Sequence, residues 1–304
     1  MRTNRTRERL EKGETVFGCA LQVYRSAEVP RTFAAAGFDY VFIDMEHGSY
    51  NLETVHDMIV ASKLTGITPI IRIVELQYGL CSRLLDMGAE GIILPRVEDP
   101  EILERALSWL RYPPAGQRGF GINGTMIEYE TAGVPEIMEH QNSQILAVVQ
   151  FESAAAIERA DELLAVKGLD VVMVGPADLS ISLGVPGEWD HPLLVDSIER
   201  IIEKCNRHGV VPGIQTRGFA MAKAWVERGM RFVGVAAEHV LLLEKARETV
   251  SQLRLALNER ISFGKEIKGN KACLKLHSSV SGSWVNPWSA TYVRRGTRWW
   301  FTTL

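Results

Sequence analysis

Long hydrophobic runs are missing from this chain of 304 residues. The longest apolar stretches, such as Ile145–Phe151, fall far short of the ~20 residues that a membrane helix needs, which argues against a membrane location. The N-terminus, MRTNRTRERLEKGE, has no apolar signal segment, so a cytoplasmic location is expected. Cysteine is scarce. The four that occur, Cys19, Cys81, Cys205 and Cys273, show no CxxC spacing, which excludes a disulfide scaffold and suits reduced thiols. Positive charge is short in the body of the chain. Residues 259–304 hold eight Lys/Arg and two acids, a net +6, and the remainder holds 26 basic and 35 acidic residues, a net −9. An acidic body argues against nucleic acid as the main partner.

What is present is a large apolar fraction, 46%, arranged in two alternating patterns between Val16 and about Leu255. Short β-branched runs suit buried strands: Val16–Leu21, Tyr40–Ile43, Pro69–Ile73, Gly91–Leu94, Ile145–Phe151, Val171–Val174, Val211–Ile214 and Phe232–Ala236. Segments of helical period fall between them, among them Leu52–Leu64, Glu101–Trp109, Ala154–Leu164, Pro192–His208, Phe219–Arg228 and Val240–Leu255. Eight β-then-α units of nearly continuous apolar strands predict a (β/α)8 TIM barrel, an α/β fold; a doubly wound open sheet is the structural alternative. The expected division is an N-terminal extension over 1–13, a barrel over 14–258, and a basic, aromatic and irregular tail over 259–304. Four of the seven tryptophans lie in that tail, Trp284, Trp288, Trp299 and Trp300. Such a tail suits an RNA or membrane surface, or has no role at all. The interval Arg111–Gln144 is long for a compact domain, with a helical patch at Pro135–His140. It is read as functional, or as reaching a neighbouring subunit.

Barrel chemistry sits at the C-terminal ends of the strands, so those ends are the informative positions. Strand 2 ends in Asp44-Met45-Glu46-His47-Gly48, strand 3 at Arg72, strand 5 in Gln150-Phe151-Glu152, and strand 6 runs into Gly175-Pro176-Ala177-Asp178. Scattered solvated charges would not fall at one end so often, which points to an enzyme. Glu152 and Asp178 lie on neighbouring strands, and two carboxylates with open positions suit Mg2+. Read separately, each is equally a buried acid bonded to amides, with Asp178 capping a helix. His47 beside Asp44 suits a general base, and the D-x-E-H string does not favour His47 as a metal ligand. Arg72 ends an apolar strand and needs an anion there, from protein or substrate. Gly119–Gly124 matches GxGxxG, but YPPAGQR rather than a strand precedes it, so a dinucleotide site is rejected. Lysine ends none of these strands, which weakens a Schiff-base reaction and favours a metal as the electron sink.

Taken in order, FGCALQ, GFDYVFIDMEHG, PIIRI, LLDMGAEGIILPRVED, RYPPAGQRGFG, VVQFES and VMVGPADLS resemble the HpcH/HpaI aldolase family of metal-dependent pyruvate aldolases over about residues 14–257. The tail does not share the resemblance. The resemblance implies cleavage or formation of 4-hydroxy-2-oxo acids, giving pyruvate and an aldehyde through an enolate stabilised by a divalent cation, Mg2+, Mn2+ or Co2+. It implies that Glu152 and Asp178 hold the metal and that His47 is the base. Asp86 pairs with that base, and Asp44 supports it. Arg72, Gln150 and the backbone at Ala177 and Asp178 receive the 2-oxo acid, the last at a helix N-terminus. A homo-hexamer, a trimer of dimers exchanging C-terminal helices, is also implied. The rival readings are a citrate-lyase-β-like acyl-CoA lyase, an oxaloacetate decarboxylase and, from another class, a non-catalytic binding protein.

Overall fold

Eight parallel strands close on themselves in chain order in the computed structural model, which describes residues 1–269, with side chains to Leu257. They are β1 (Val16–Leu21), β2 (Tyr40–Asp44), β3 (Thr68–Arg72), β4 (Gly91–Leu94), β5 (Leu146–Phe151), β6 (Val171–Val174), β7 (Val211–Thr216) and β8 (Phe232–Ala237). β1 pairs with both β2 and β8, so the sheet has no edge, and the open doubly wound alternative falls. Alternate residues divide the core in two. Tyr40 and Phe42, Leu146 and Val148, and Val171 and Met173 fill the barrel. Val41 and Ile43, Ala147 and Val149, and Val172 and Val174 pack outward against the helices. Inside, Gly18 lies against the Tyr40 ring, and an added Cβ would come within 2.1 Å of it.

Local signals set the helix ends. Asn51 accepts from Thr54 N at the start of Leu52–Thr65, and Gly66 ends that helix at φ 85°. Pro192 opens and Gly209 closes Pro192–His208. The segment expected as one helix over 154–164 is two, Ala154–Glu158 and Ala160–Leu164. They meet at Arg159, whose guanidinium is drawn to Glu98 O and Asp99. Helix Pro176–Ser182 starts where a helix was expected at Asp178, and helices Glu28–Ala35 and Tyr78–Asp86, which were not foreseen, complete the alternation.

Residues 1–13, expected as an extension outside the barrel, form its floor. Helix Arg5–Glu11 drives Leu10 into the inner cluster. Thr6 Oγ1 donates to Thr68 Oγ1 at 2.8 Å, and Asn4 Nδ2 donates to Glu90 O and Gln144 O, each at 2.9 Å. Those partners stand just before or at the start of β3, β4 and β5, where backbone carbonyls need donors. Arg9 and Asp39 form a further ion pair.

The long interval holds helices Gly124–Ile127 and Val134–Gln144, with Met126, Ile127 and Ile137 as a small core of their own. The GxGxxG string lies in irregular backbone with no strand before it. Cys19, Cys81 and Cys205 are free and buried. The barrel is one unit, Met1–Thr249; beyond it the helix that begins at Glu238 continues to Gly269. Residues 259–269 are therefore helical rather than irregular. The four tryptophans of the tail lie in 270–304, outside the described residues, as does Cys273. Among the described residues no helix is long and apolar enough to cross a membrane.

Candidate active site

The pairing of β2 with β3 sets Asp44 directly beside Arg72. Both are buried, Arg72 at 5% exposure. Arg72 Nε donates to Asp44 Oδ1 at 2.9 Å and Nη2 to Oδ2 at 2.6 Å, a bidentate pair. Burial pushes the Asp44 carboxyl up, but the Arg72 bonds and charge, with help from Gln22, hold it below the usual carboxylate range. Asp44 Oδ1 also accepts the amides of Glu46 and His47, which turns the chain over the barrel mouth. Gln22 Nε2 donates to Asp44 Oδ2 at 2.7 Å. Gln22 is aimed by Glu238, whose buried carboxylate accepts the amides of Gln22, Val23 and Tyr24.

From the other side, Arg72 Nη1 donates to Gln150 Oε1 at 3.2 Å, and Gln150 Nε2 donates to Glu152 Oε2 at 2.6 Å. A bare Gly175 makes room for this arrangement: a Cβ there would sit 2.9 Å from Gln150 Nε2 and 3.3 Å from Glu152 Oε2. Burial, then the negative charges of Asp178 and Glu46, push the Glu152 carboxyl up to about 7 against the opposing pull of Arg72 and Arg96. Ala177 and Asp178 are exposed in the first turn of helix Pro176–Ser182. A buried carboxylate whose charging is opposed by the negative charge of Asp178 suits a cation placed between the two, and the hard oxygen donors suit Mg2+ or a similar ion. Among the described residues no group of three or more His, Cys, Asp or Glu side chains is placed to hold a metal. The protein would then supply two ligands and leave the rest of the shell to water and substrate.

Strand ends thus bring Asp44, Arg72, Gln150 and Glu152 into one bonded cluster, with Asp178 in its field. His47 is exposed at the same mouth and is tied to Asp44 through its backbone amide. Asp86 does not pair with His47 as expected. It ends helix Tyr78–Asp86, and its Oδ1 accepts from Arg118 Nη2 at 2.7 Å. Arg118 has a fully buried side chain and needs that anion. Two residues were not singled out from the sequence. Glu46 Oε1 accepts from Arg96 Nε at 3.0 Å, and Glu46 Oε2 lies 3.2 Å from Arg72 Nη1. Arg96 has a left-handed backbone, φ 54°, and its amide donates to Glu152 Oε1 at 3.1 Å. It follows β4, and its place two residues past that strand's C-terminal end is the signal in the sequence that marks it.

The comparisons with known proteins agree with this geometry. The chain matches HpcH/HpaI aldolase/citrate lyase over residues 24–244. It is 33% identical to the hydroxypyruvate/pyruvate aldolase of Roseobacter denitrificans, over 82% of this chain and 96% of that one. It is 32% identical to the 2-keto-3-deoxy-L-rhamnonate aldolase of Escherichia coli, over 88% of this chain and 98% of that one. The crystal structure of an HpcH/HpaI aldolase from Desulfitobacterium hafniense superposes with a TM-score of 0.77 at 31% identity, covering 81% of this chain and 95% of that one. The closed barrel, the acid- and arginine-lined mouth and these likenesses agree: the chain belongs to the HpcH/HpaI aldolase/citrate lyase family.

Proposed function

We propose that the protein is a metal-dependent pyruvate aldolase, a carbon–carbon lyase that cleaves or forms 4-hydroxy-2-oxo acids. Family membership supports the aldolase reading over acyl-CoA cleavage or oxaloacetate decarboxylation. Both relatives are named aldolases, one of hydroxypyruvate and pyruvate, the other of 2-keto-3-deoxy-L-rhamnonate, so 2-oxo acids are the substrate class taken here. The observation that carries the site is the Arg72 guanidinium, buried between Asp44 and Gln150 and one hydrogen bond from the Glu152 side of the mouth.

Glu152 and Asp178 would hold Mg2+, Mn2+ or Co2+. When bound, the cation draws negative charge onto the substrate's keto oxygen and so favours the enolate. Arg72 adds a fixed positive group beside that oxygen, and Asp44 locks its orientation so that little reorganisation is needed during reaction. Gln150 sets the donor direction of Arg72 Nη1 while steadying Glu152. The first turn at Ala177 and Asp178 receives the substrate carboxylate. His47, exposed to the mouth, takes the proton from the 4-hydroxyl as the carbon–carbon bond breaks and the aldehyde leaves; a proton delivered to C3 of the enolate, from water or His47, then gives pyruvate, and the transfers reverse in synthesis. Asp44 supports His47 through the backbone turn, and Asp86 assists only where the bond to Arg118 is given up.

A cytoplasmic homo-hexamer, a trimer of dimers, completes the reading. Leu242 and Leu243 are exposed in helix Glu238–Gly269, as are Leu253 and Leu257, which suits burial against another copy. The test is a screen of 4-hydroxy-2-oxo acids with pyruvate release as the readout, run beside oxaloacetate and acyl-CoA substrates. Pyruvate release from at least one hydroxy-oxo acid is expected; activity on an acyl-CoA alone would contradict the proposal.

A further inference from the structure

Arg96 stands in solvent at the mouth, with 68% of its side chain exposed. Its place is nonetheless fixed at two points. The backbone amide bonds Glu152, and Nε bonds Glu46. A left-handed φ is strained for any residue with a Cβ, and it persists here with the amide directed at a buried acid. The contacts close a circuit across the ends of β2 to β5: Arg96 amide, Glu152, Gln150, Arg72, Glu46 and back to Arg96 Nε.

Within that circuit the Glu46 carboxylate has a cation at each oxygen, Arg96 Nε at Oε1 and Arg72 Nη1 at Oε2. Arg72 Nε and Nη2 bond Asp44 and one N–H of Nη1 bonds Gln150, which leaves the second N–H of Nη1, on the Glu46 side, as a donor for a substrate oxygen. Glu46 Oε2 lies 3.2 Å from that same nitrogen, buried and without an aligned hydrogen bond. A carboxylate there rivals the substrate's oxygen for Nη1. Arg96 supplies Glu46 with the better bond, at 3.0 Å. As substrate covers the mouth and expels water, that pairing strengthens.

We infer that Arg96 is a positioning residue that draws Glu46 away from Arg72, so that the Arg72 Nη1 donor is free to receive the 2-oxo acid. The inference rests on the reaction proposed above and adds to it a reason for the Glu46–Arg96 pair. Its chemistry makes Glu46 a resident carboxylate that holds Arg72 until an anionic oxygen arrives.

The test uses full-length protein supplied with Mg2+ and oxamate as a non-reacting pyruvate analogue. Arg96→Gly keeps the amide and suits the left-handed backbone while removing the guanidinium. Oxamate Kd by calorimetry and KM for pyruvate release are both expected to rise about tenfold, the size of one charge-assisted bond, with a much smaller change in kcat. Glu46→Gln is expected to bind oxamate at least as tightly as wild type. The double variant E46Q/R96G is expected within about twofold of E46Q, because no competing charge is left to hold aside. Wild-type oxamate affinity in Arg96→Gly would overturn the inference, as would a double variant as weak as R96G. Wild-type protein that neither binds oxamate nor releases pyruvate would instead sink the proposed reaction, and the inference with it.

Discussion

Asp44 and Arg72 are neighbours by strand register, and the same register takes both out of water. Removing one leaves an uncompensated buried charge in the other. Arg72→Ala is therefore expected to lower turnover by ~10²–10³, the scale of one lost transition-state donor. It is also expected to destabilise the fold by about 3–5 kcal/mol at pH 7. The pH dependence separates the two effects. In the wild type the Asp44 carboxyl is held low, so its contribution is present above the unfolded carboxyl's range near 3.9 and is lost as pH falls through the lower folded value. In the variant burial is opposed only by the bonds from Gln22 and the backbone amides, so the carboxyl rises relative to wild type and the stability gap should narrow as pH falls from 7 towards 5. Thermal melts across that range check it; a constant gap would mean that Asp44 is not left charged and buried. Asp44, Arg72, Gln150 and Glu152 were legible in the sequence because a strand end fixes where a side chain points. The partner of Asp86 was not, because it depends on the path of the interval around Arg118. The role of Glu46 was hidden in the same way, since it turns on the backbone angle of Arg96.

At the scale of elements, the turn from β6 into helix Pro176–Ser182 passes so close to β5 that a Cβ at Gly175 would sit 2.9 Å from Gln150 Nε2 and 3.2 Å from Glu152 Cβ, and those side chains would have to shift. Gly175→Ala is expected to push on Gln150 and Glu152 and to weaken Mn2+ binding at least tenfold, measured by calorimetry, while the melting temperature moves little. Unchanged Mn2+ affinity would detach Glu152 from the metal. The floor gives a second expectation. Leu10 reaches the inner cluster from helix Arg5–Glu11, so Leu10→Ala should destabilise by about 2–5 kcal/mol in denaturant unfolding, as for a core leucine. A change within the error of that measurement would return residues 1–13 to the status of an appendage. The eight strands were legible to within about two residues because a sheet buried on both faces leaves continuous apolar runs. Helix Arg5–Glu11 was not. Its sequence is mostly charged, and only Thr6 and Leu10 turn inward. Helices Glu28–Ala35 and Tyr78–Asp86 are two turns long and give the helical period little room to show.

For the whole molecule, the acidic barrel and the basic end of the chain are expected to be separable in function. Protein lacking residues 270–304 is expected to keep its rate of pyruvate release and, by light scattering, the mass of six chains. Loss of pyruvate release on that truncation would move the activity out of the barrel and favour a binding role for the tail. The central claim is that Glu152 and Asp178 hold a cation on which carbon–carbon cleavage depends. Pyruvate release from a 4-hydroxy-2-oxo acid, followed before EDTA, after EDTA and after Mg2+ is returned, tests it most directly. The expected course is activity, loss and recovery, with Glu152→Gln failing to recover. Full activity in the chelated protein would contradict the account.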